Sequence, residues 1–167
     1  MAEETAPLHL PASGPLERFL EAVSDAISEG FEQTGGLTPL VFAVTEKGNG
    51  YVIGVPSRLG AGDPDKTDER VARWMRNHFN KHDVIRYAFV SETHETQQEI
   101  VAIEAEDYNG AVVGFRKIIR AEGNARLGSL RTFHKAGFFG GKLLPKRGRL
   151  NLNNDLLSGC DSAGRRY

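Results

Sequence analysis

Apolar residues recur at helical spacing near the start of the chain, at Leu16, Phe19, Leu20, Val23, Ile27 and Phe31. The i, i+3, i+4 spacing predicts an amphipathic helix with one buried stripe. Pro15 suits its first helical position, and Gly35-Gly36 ends it. A second stripe follows at Val71, Trp74, Met75, His78 and Phe79. It predicts a second helix, capped by Asp65 and ending near His82.

Shorter apolar runs predict strands. Residues 40–45 and 51–55 flank a glycine-containing turn at 46–50, which indicates a β-hairpin. Residues 84–90 are almost continuously apolar, which favours a strand in the middle of a sheet. The polar residues 91–97 are predicted to connect this strand to the next one.

The clearest local signal lies in residues 98–120, where Asn109-Gly110 separates two runs rich in Val and Ile. Such a dipeptide is typical of a type I′ hairpin turn, in which both central residues have positive φ. The turn predicts these opposed pairs: Tyr108 with Ala111, Glu106 with Val113, Glu104 with Phe115, Ile100 with Ile119, and Glu99 with Arg120.

Side-chain alternation along this hairpin separates an apolar face from a polar one. The predicted core face carries Val101, Ile103, Ala105, Val112 and Ile118. The other face carries Glu104, Glu106, Phe115 and Lys117, and is expected to face solvent.

These elements predict an α+β fold for a chain of 167 residues. We expect a single domain at 14–122, with a mainly antiparallel five-stranded sheet and two helices on one face. Residues 1–13 read as an extended lead-in, and residues 123–167 as an extended basic arm rich in glycine.

Composition and apolar patterning together predict the cellular compartment of the protein. The single cysteine, Cys160, excludes a disulfide framework and a cysteine-rich zinc motif. The first residues lack the basic and apolar regions of a signal peptide. No apolar run approaches the roughly 20 residues that span a bilayer. We therefore expect a cytoplasmic protein of the producing or host cell.

The formal net charge of −1 conceals a strong asymmetry along the chain. Residues 1–35 carry net −6, residues 36–114 net −4, and residues 115–167 net +9. The basic third therefore predicts an acidic partner.

Cations and aromatic side chains alternate in the predicted arm. They are Arg126, Arg131, Phe133, Lys135, Phe138, Phe139, Lys142, Lys146, Arg147 and Arg149. Cations neutralise phosphates and aromatic rings stack on unpaired bases, so the arm is predicted to bind nucleic acid or a larger protein complex. Two other interpretations stay open. The arm could be a strap whose phenylalanines pin it to the domain, or it could bind the acidic first helix of another copy.

A set of acidic residues and a histidine offers an enzymatic alternative. Glu92 and His94 lie in the predicted 91–97 connection, Glu99 starts the next strand, and Glu104 and Glu106 follow on that strand. Carboxylates and imidazole bind metal ions and transfer protons, as in a metal-dependent hydrolase or nuclease. The competing interpretation is a solvated polar turn and a charged sheet surface.

Residues 90–128 contain the spaced string VSE, EIVAIEAED, G, IIR and LG. This pattern resembles small proteins of unknown function from bacterial and phage genomes. The resemblance covers about a quarter of the chain and implies no catalytic residue. It implies a phage or prophage accessory protein. We therefore predict a non-enzymatic accessory or assembly protein without a metal or other cofactor.

Overall fold

A computed structural model describes residues 8–95, 97–134 and 143–146 of the chain. The first helix, α1, spans Leu16–Thr34 and buries the predicted stripe. Pro15 is its N-cap rather than its first helical residue. Gly35 ends it in the left-handed conformation, at φ 70° and ψ 11°, and donates its N–H to the carbonyl oxygen of Phe31. Glycine adopts this conformation without the steric cost that a Cβ would bring.

Strands β1, Leu40–Thr45, and β2, Gly50–Gly54, form the predicted first hairpin. Two short 3₁₀ helices follow, at Ser57–Gly60 and Pro64–Lys66, and then helix α2, Thr67–His82. Asp65 does not cap α2. Its backbone N–H instead donates to the Asp63 carboxylate, which caps the second 3₁₀ helix.

The second half of the described chain is a run of antiparallel strands. They are β3, Val84–Glu95; β4, Gln98–Asp107; β5, Gly110–Ala121; β6, Asn124–Leu127; and β7, Arg131–His134. The sheet order is β2-β1-β3-β4-β5-β6, with β7 also paired to β5, so β3 is central as predicted.

The described residues thus form seven strands, and the prediction of five is wrong. Strands β6 and β7 were missed because they have four residues each and lack an alternating apolar pattern. Both pair with β5, one after the other along the same edge. Residues 124–134 therefore belong to the sheet and not to an extended arm.

The two helices lie on opposite faces of the sheet, so their prediction on one face is also wrong. Phe42 and Val44 of β1 lie in the core beneath α1, whereas Val41 and Ala43 lie in the core beneath α2. Consecutive strand residues point to opposite faces, so these two cores are separated by the sheet. We call the two sides the α1 face and the α2 face. The error arose because β1 is apolar on both faces and can accommodate a helix on either.

The hairpin turn also differs from its prediction. The cross-strand pairs include Asp107 with Gly110, Glu106 with Ala111, and Glu104 with Val113, two residues away from the predicted register. Neither Asn109 nor Gly110 has positive φ. The Asp107 carboxylate instead accepts hydrogen bonds from both of their backbone N–H groups, at 2.8 and 3.1 Å.

The two-residue shift leaves every side chain on its predicted face, because alternation has a period of two. Val101, Ile103, Ala105 and Val112 are buried in the core of the α1 face, as predicted. Ile118 packs against the same core while remaining partly exposed.

Candidate binding surface

The residues of the enzymatic alternative begin on β3, which continues through the segment predicted as a polar connection. Glu92 lies opposite Val101, a core residue of the α1 face. One Glu92 carboxylate oxygen accepts the backbone N–H of Leu37 at 2.9 Å, which ties β3 to the segment after α1. His94 lies on the same face, opposite Glu99.

Glu99 forms an ion pair with Arg120, with Nε 2.7 Å from Oε2. The hydrogen bond from Arg120 lowers the pKa of Glu99 from its ordinary value, and the carboxylate in turn raises the pKa of Arg120. Arg120 also donates to the carbonyl oxygen of Gly35 at 3.2 Å. Glu99 therefore links the strands to the end of α1.

The other two acids lie on the α2 face. Glu104 is opposite Phe89, and Glu106 is opposite Tyr87. Glu106 is only 2% exposed, so the prediction of a solvent-facing carboxylate is wrong there. Burial raises the pKa of Tyr87, and the negative charges of Glu106 and Glu104 raise it further.

The sheet therefore separates the five residues, with Glu92, His94 and Glu99 on one face and Glu104 and Glu106 on the other. Through residues 8–95, 97–134 and 143–146, no three His, Cys, Asp or Glu side chains form a group that could hold a metal ion. The geometry does not bring the enzymatic set together.

Of the ten residues predicted to bind a partner, Arg126, Arg131, Phe133 and Lys146 lie in the described ranges. Lys135, Phe138, Phe139, Lys142, Arg147 and Arg149 lie outside the described residues. Arg126 is on β6, Arg131 and Phe133 are on β7, and Lys146 is exposed.

The two phenylalanines Phe115 and Phe133 form the most distinctive feature of the α2 face. Their rings are stacked, with centroids 5.2 Å apart and planes at 19°. Phe133 is 49% exposed. Arg131 lies directly opposite Phe115 in the ladder between β5 and β7, and so projects from the same face.

The same face continues along β5 beyond the phenylalanines. Lys117 and Ile119 follow at alternate positions, and Arg126 of β6 lies opposite Ile119. Lys117, Ile119 and Arg126 are all exposed. We call this group the aromatic platform, and it comprises Phe115, Lys117, Ile119, Arg126, Arg131 and Phe133.

The sequence pattern predicts Phe115 and Lys117 on one face but does not connect them with the basic residues downstream. The missing information was the pairing of residues 131–134 with 112–115. Only that ladder brings Phe133 and Arg131 beside Phe115. The polar sequence of β7 gives little indication of it.

Part of the downstream segment packs on the domain. Leu143 and Leu144 are buried in the core of the α2 face. The Tyr108 hydroxyl donates to the carbonyl oxygen of Pro145 at 2.6 Å. The strap interpretation assigned such contacts to phenylalanines, but Phe133 is half-exposed, and Phe138 and Phe139 lie outside the described residues.

A separate polar cluster joins α2 to β2. The Tyr51 hydroxyl lies 2.8 Å from His78 Nε2, and the rings of His78 and His82 lie 4.4 Å apart between centroids. Burial raises the pKa of Tyr51 to about 12. Burial also lowers the pKa of His78, and the neighbouring charges of His82 and Lys81 lower it further.

No protein-family model, curated protein or solved structure matches this chain. Neither helix of the described ranges combines the length and apolar character that crossing a membrane would require.

Proposed function

We propose that the chain is a non-enzymatic accessory or assembly protein that binds single-stranded nucleic acid through the aromatic platform. The observation that supports this most directly is the exposed Phe133 ring stacked on the partly buried Phe115, with Arg131 beside them on the same face. This proposal includes a phage or prophage origin and a cytoplasmic location, because the sequence favours both.

The platform offers the two contacts that unpaired nucleotides use. An exposed phenylalanine ring such as Phe133 can stack on a base, whatever its identity. Lys117, Arg126 and Arg131 provide positive charge for the phosphates that follow. Bases inside a duplex have no free face for stacking, so single strands fit this surface better than duplexes.

An acidic residue beside the platform lowers the affinity that we expect for nucleic acid. Glu104 lies on the same face, opposite Val113, which is itself opposite Phe133. Its carboxylate opposes phosphate binding on that side, so a strand would run along β5 toward Lys117 and Arg126. Lys135, Lys142, Arg147 and Arg149 lie outside the described residues, and their part in binding stays a prediction from the sequence.

Fluorescence anisotropy with a labelled oligothymidylate tests the proposal on the full chain. Phe133→Ala should weaken binding about 5- to 150-fold, because stacking contributes roughly 1–3 kcal/mol per base. Arg131→Ala should reduce the steepness of the salt dependence by about 0.7 on a logarithmic plot, since one fewer phosphate is neutralised.

Arg73→Ala is a matched control, because Arg73 is an equally basic residue exposed on α2, away from the platform. It should leave the affinity unchanged. The proposal fails if the intact chain does not bind single strands at low salt, or if Phe133→Ala and Arg73→Ala behave alike. Binding to a protein complex that Phe133→Ala abolishes, without binding to oligonucleotide, would assign the platform to a protein partner instead.

A further inference from the structure

A cavity of about 680 Å³ lies on the α2 face, between the start of α2, the first 3₁₀ helix and the sheet. Its walls are mainly apolar, and the apolar lining residues include Val55, Leu59, Val71 and Phe89. Small-molecule sites typically have this size and this mainly apolar lining. The cavity is separate from the aromatic platform, because no residue of the platform lines the cavity.

Hydrogen bonds hold the outer wall of the cavity in place. Arg70 of α2 donates from Nε to the carbonyl oxygen of Leu59 at 2.8 Å. It also donates from Nη2 to the carbonyl oxygen of Asp63 at 3.0 Å and to the Thr67 hydroxyl at 3.2 Å. At the other end, the Val55 N–H donates to the carbonyl oxygen of Pro39 at 3.0 Å. These hydrogen bonds therefore fix the positions of the segments that enclose the cavity.

In the described part of the chain, the charged side chains of the lining have the same sign. Both charged side chains that line the cavity among the described residues are carboxylates, Glu104 on the floor and Asp68 in the first turn of α2. Hydroxyl groups of Ser91 and Thr67 lie in the same lining. Carboxylates favour a cationic group and disfavour an anionic one.

We propose that this cavity binds a small organic amine, with an apolar body and one protonated amino group. The body would lie against Leu59, Val71 and Phe89, and an aromatic face near an ammonium group adds a further attraction. The amino group would lie on the side of Asp68 and Glu104. This proposal does not rest on nucleic-acid binding by the aromatic platform.

Three probes with one skeleton test the charge preference, namely 4-phenylbutylamine, 4-phenylbutanol and 4-phenylbutanoate. Isothermal titration calorimetry on the full chain should show the amine binding at least about tenfold more tightly than the carboxylate, with the alcohol between them. Asp68→Asn should weaken amine binding severalfold while leaving alcohol binding unchanged. Asp65→Asn is the matched control, because Asp65 is an exposed acid near α2 that does not line the cavity.

A second variant tests the cavity itself. Val71→Phe would fill part of the space and should reduce binding of both amine and alcohol, with circular dichroism reporting whether the fold is kept. If Val71→Phe unfolds the chain, Asp68→Asn alone decides. The proposal is overturned if none of the probes binds, if the carboxylate binds as tightly as the amine, or if Asp65→Asn and Asp68→Asn have equal effects.

Discussion

Arg86 and Asp107 form a buried ion pair across β3 and β4, with Arg86 Nη2 3.1 Å from Asp107 Oδ2. The same guanidinium donates to the carbonyl oxygens of Pro11 and Gly14, at 3.1 and 2.9 Å. The other oxygen of Asp107 holds the hairpin turn. This pair therefore joins the entry to α1, the central strands and the turn.

Asp107→Ala should lower the free energy of unfolding by about 3–5 kcal/mol, because it leaves the Arg86 guanidinium buried without its counter-ion. Urea denaturation measures the change. Asp107→Asn keeps an acceptor for the turn and should cost less. As a control, Glu69→Ala removes an exposed pair with Arg73 and should have no measurable effect. Because both variants remove the charge, equal stability of the two would show that the acceptor for the turn contributes nothing.

Two glycines of β5 should respond differently to the same substitution. Gly110→Ala should change stability by less than about 0.5 kcal/mol, because its φ is not positive and a Cβ would meet no atom within 4 Å. Gly114→Ala should cost about 1–3 kcal/mol, because a Cβ there would lie 2.8 Å from Leu20 Cδ2 and 3.0 Å from Leu130 Cδ1. Thermal unfolding compares them. A loss at Gly110 as large as at Gly114 would favour the type I′ turn that the dipeptide suggested.

This difference illustrates what local sequence can and cannot determine. Asn109-Gly110 correctly located a hairpin, but the side chain of Asp107 fixed the register by accepting the turn N–H groups. The periodic stripes correctly located both helices. They could not assign α2 to its face, because β1 presents apolar residues on both sides.

The candidate surfaces depended even more on tertiary pairing. The alternation of basic and aromatic residues predicted Arg131 and Phe133 as partner-binding residues. Only the pairing of β5 with β7 shows which residues of β5 lie beside them. The cavity could not be predicted at all. It depends on Arg70 holding backbone carbonyls of the 3₁₀ segments, and those contacts leave no periodic pattern in the sequence.

Leu143→Ala should destabilise the protein by about 2–5 kcal/mol, because Leu143 is fully buried in the core of the α2 face. Lys146→Ala, three residues away and exposed, should have no measurable effect on urea denaturation. Deletion of residues 124–167 would also remove β6 and β7, and should unfold the domain. A folded truncation with unchanged stability would show that these contacts contribute nothing.

Stability should fall as pH is lowered below about 6.5, the ordinary pKa of histidine, because His78 has a lowered pKa in the folded state. The unfolded chain then binds a proton more readily than the folded one. The stabilisation is fully present above pH 6.5 and is lost as pH falls toward the folded pKa. Tyr51, Trp74, Lys81 and His82 surround the ring or act on its charge.

Urea denaturation at about pH 7.5 and about pH 5.5 measures this effect. His78→Gln should reduce the difference in stability between the two pH values. A difference that survives His78→Gln intact would assign the pH dependence to other groups.

The two helices bury different numbers of side chains, and this difference affects how readily each helix opens. Helix α1 buries seven side chains and α2 only three, Val71, Met75 and Phe79. Cooperative units with little buried surface open at lower free energy than the global unfolding transition. Amide hydrogens of α2 should therefore exchange with deuterium sooner than those of α1, β3 and β4. Because α2 also forms one wall of the cavity, the same partial opening would give a small molecule its route inside without disturbing the aromatic platform on β5 and β7.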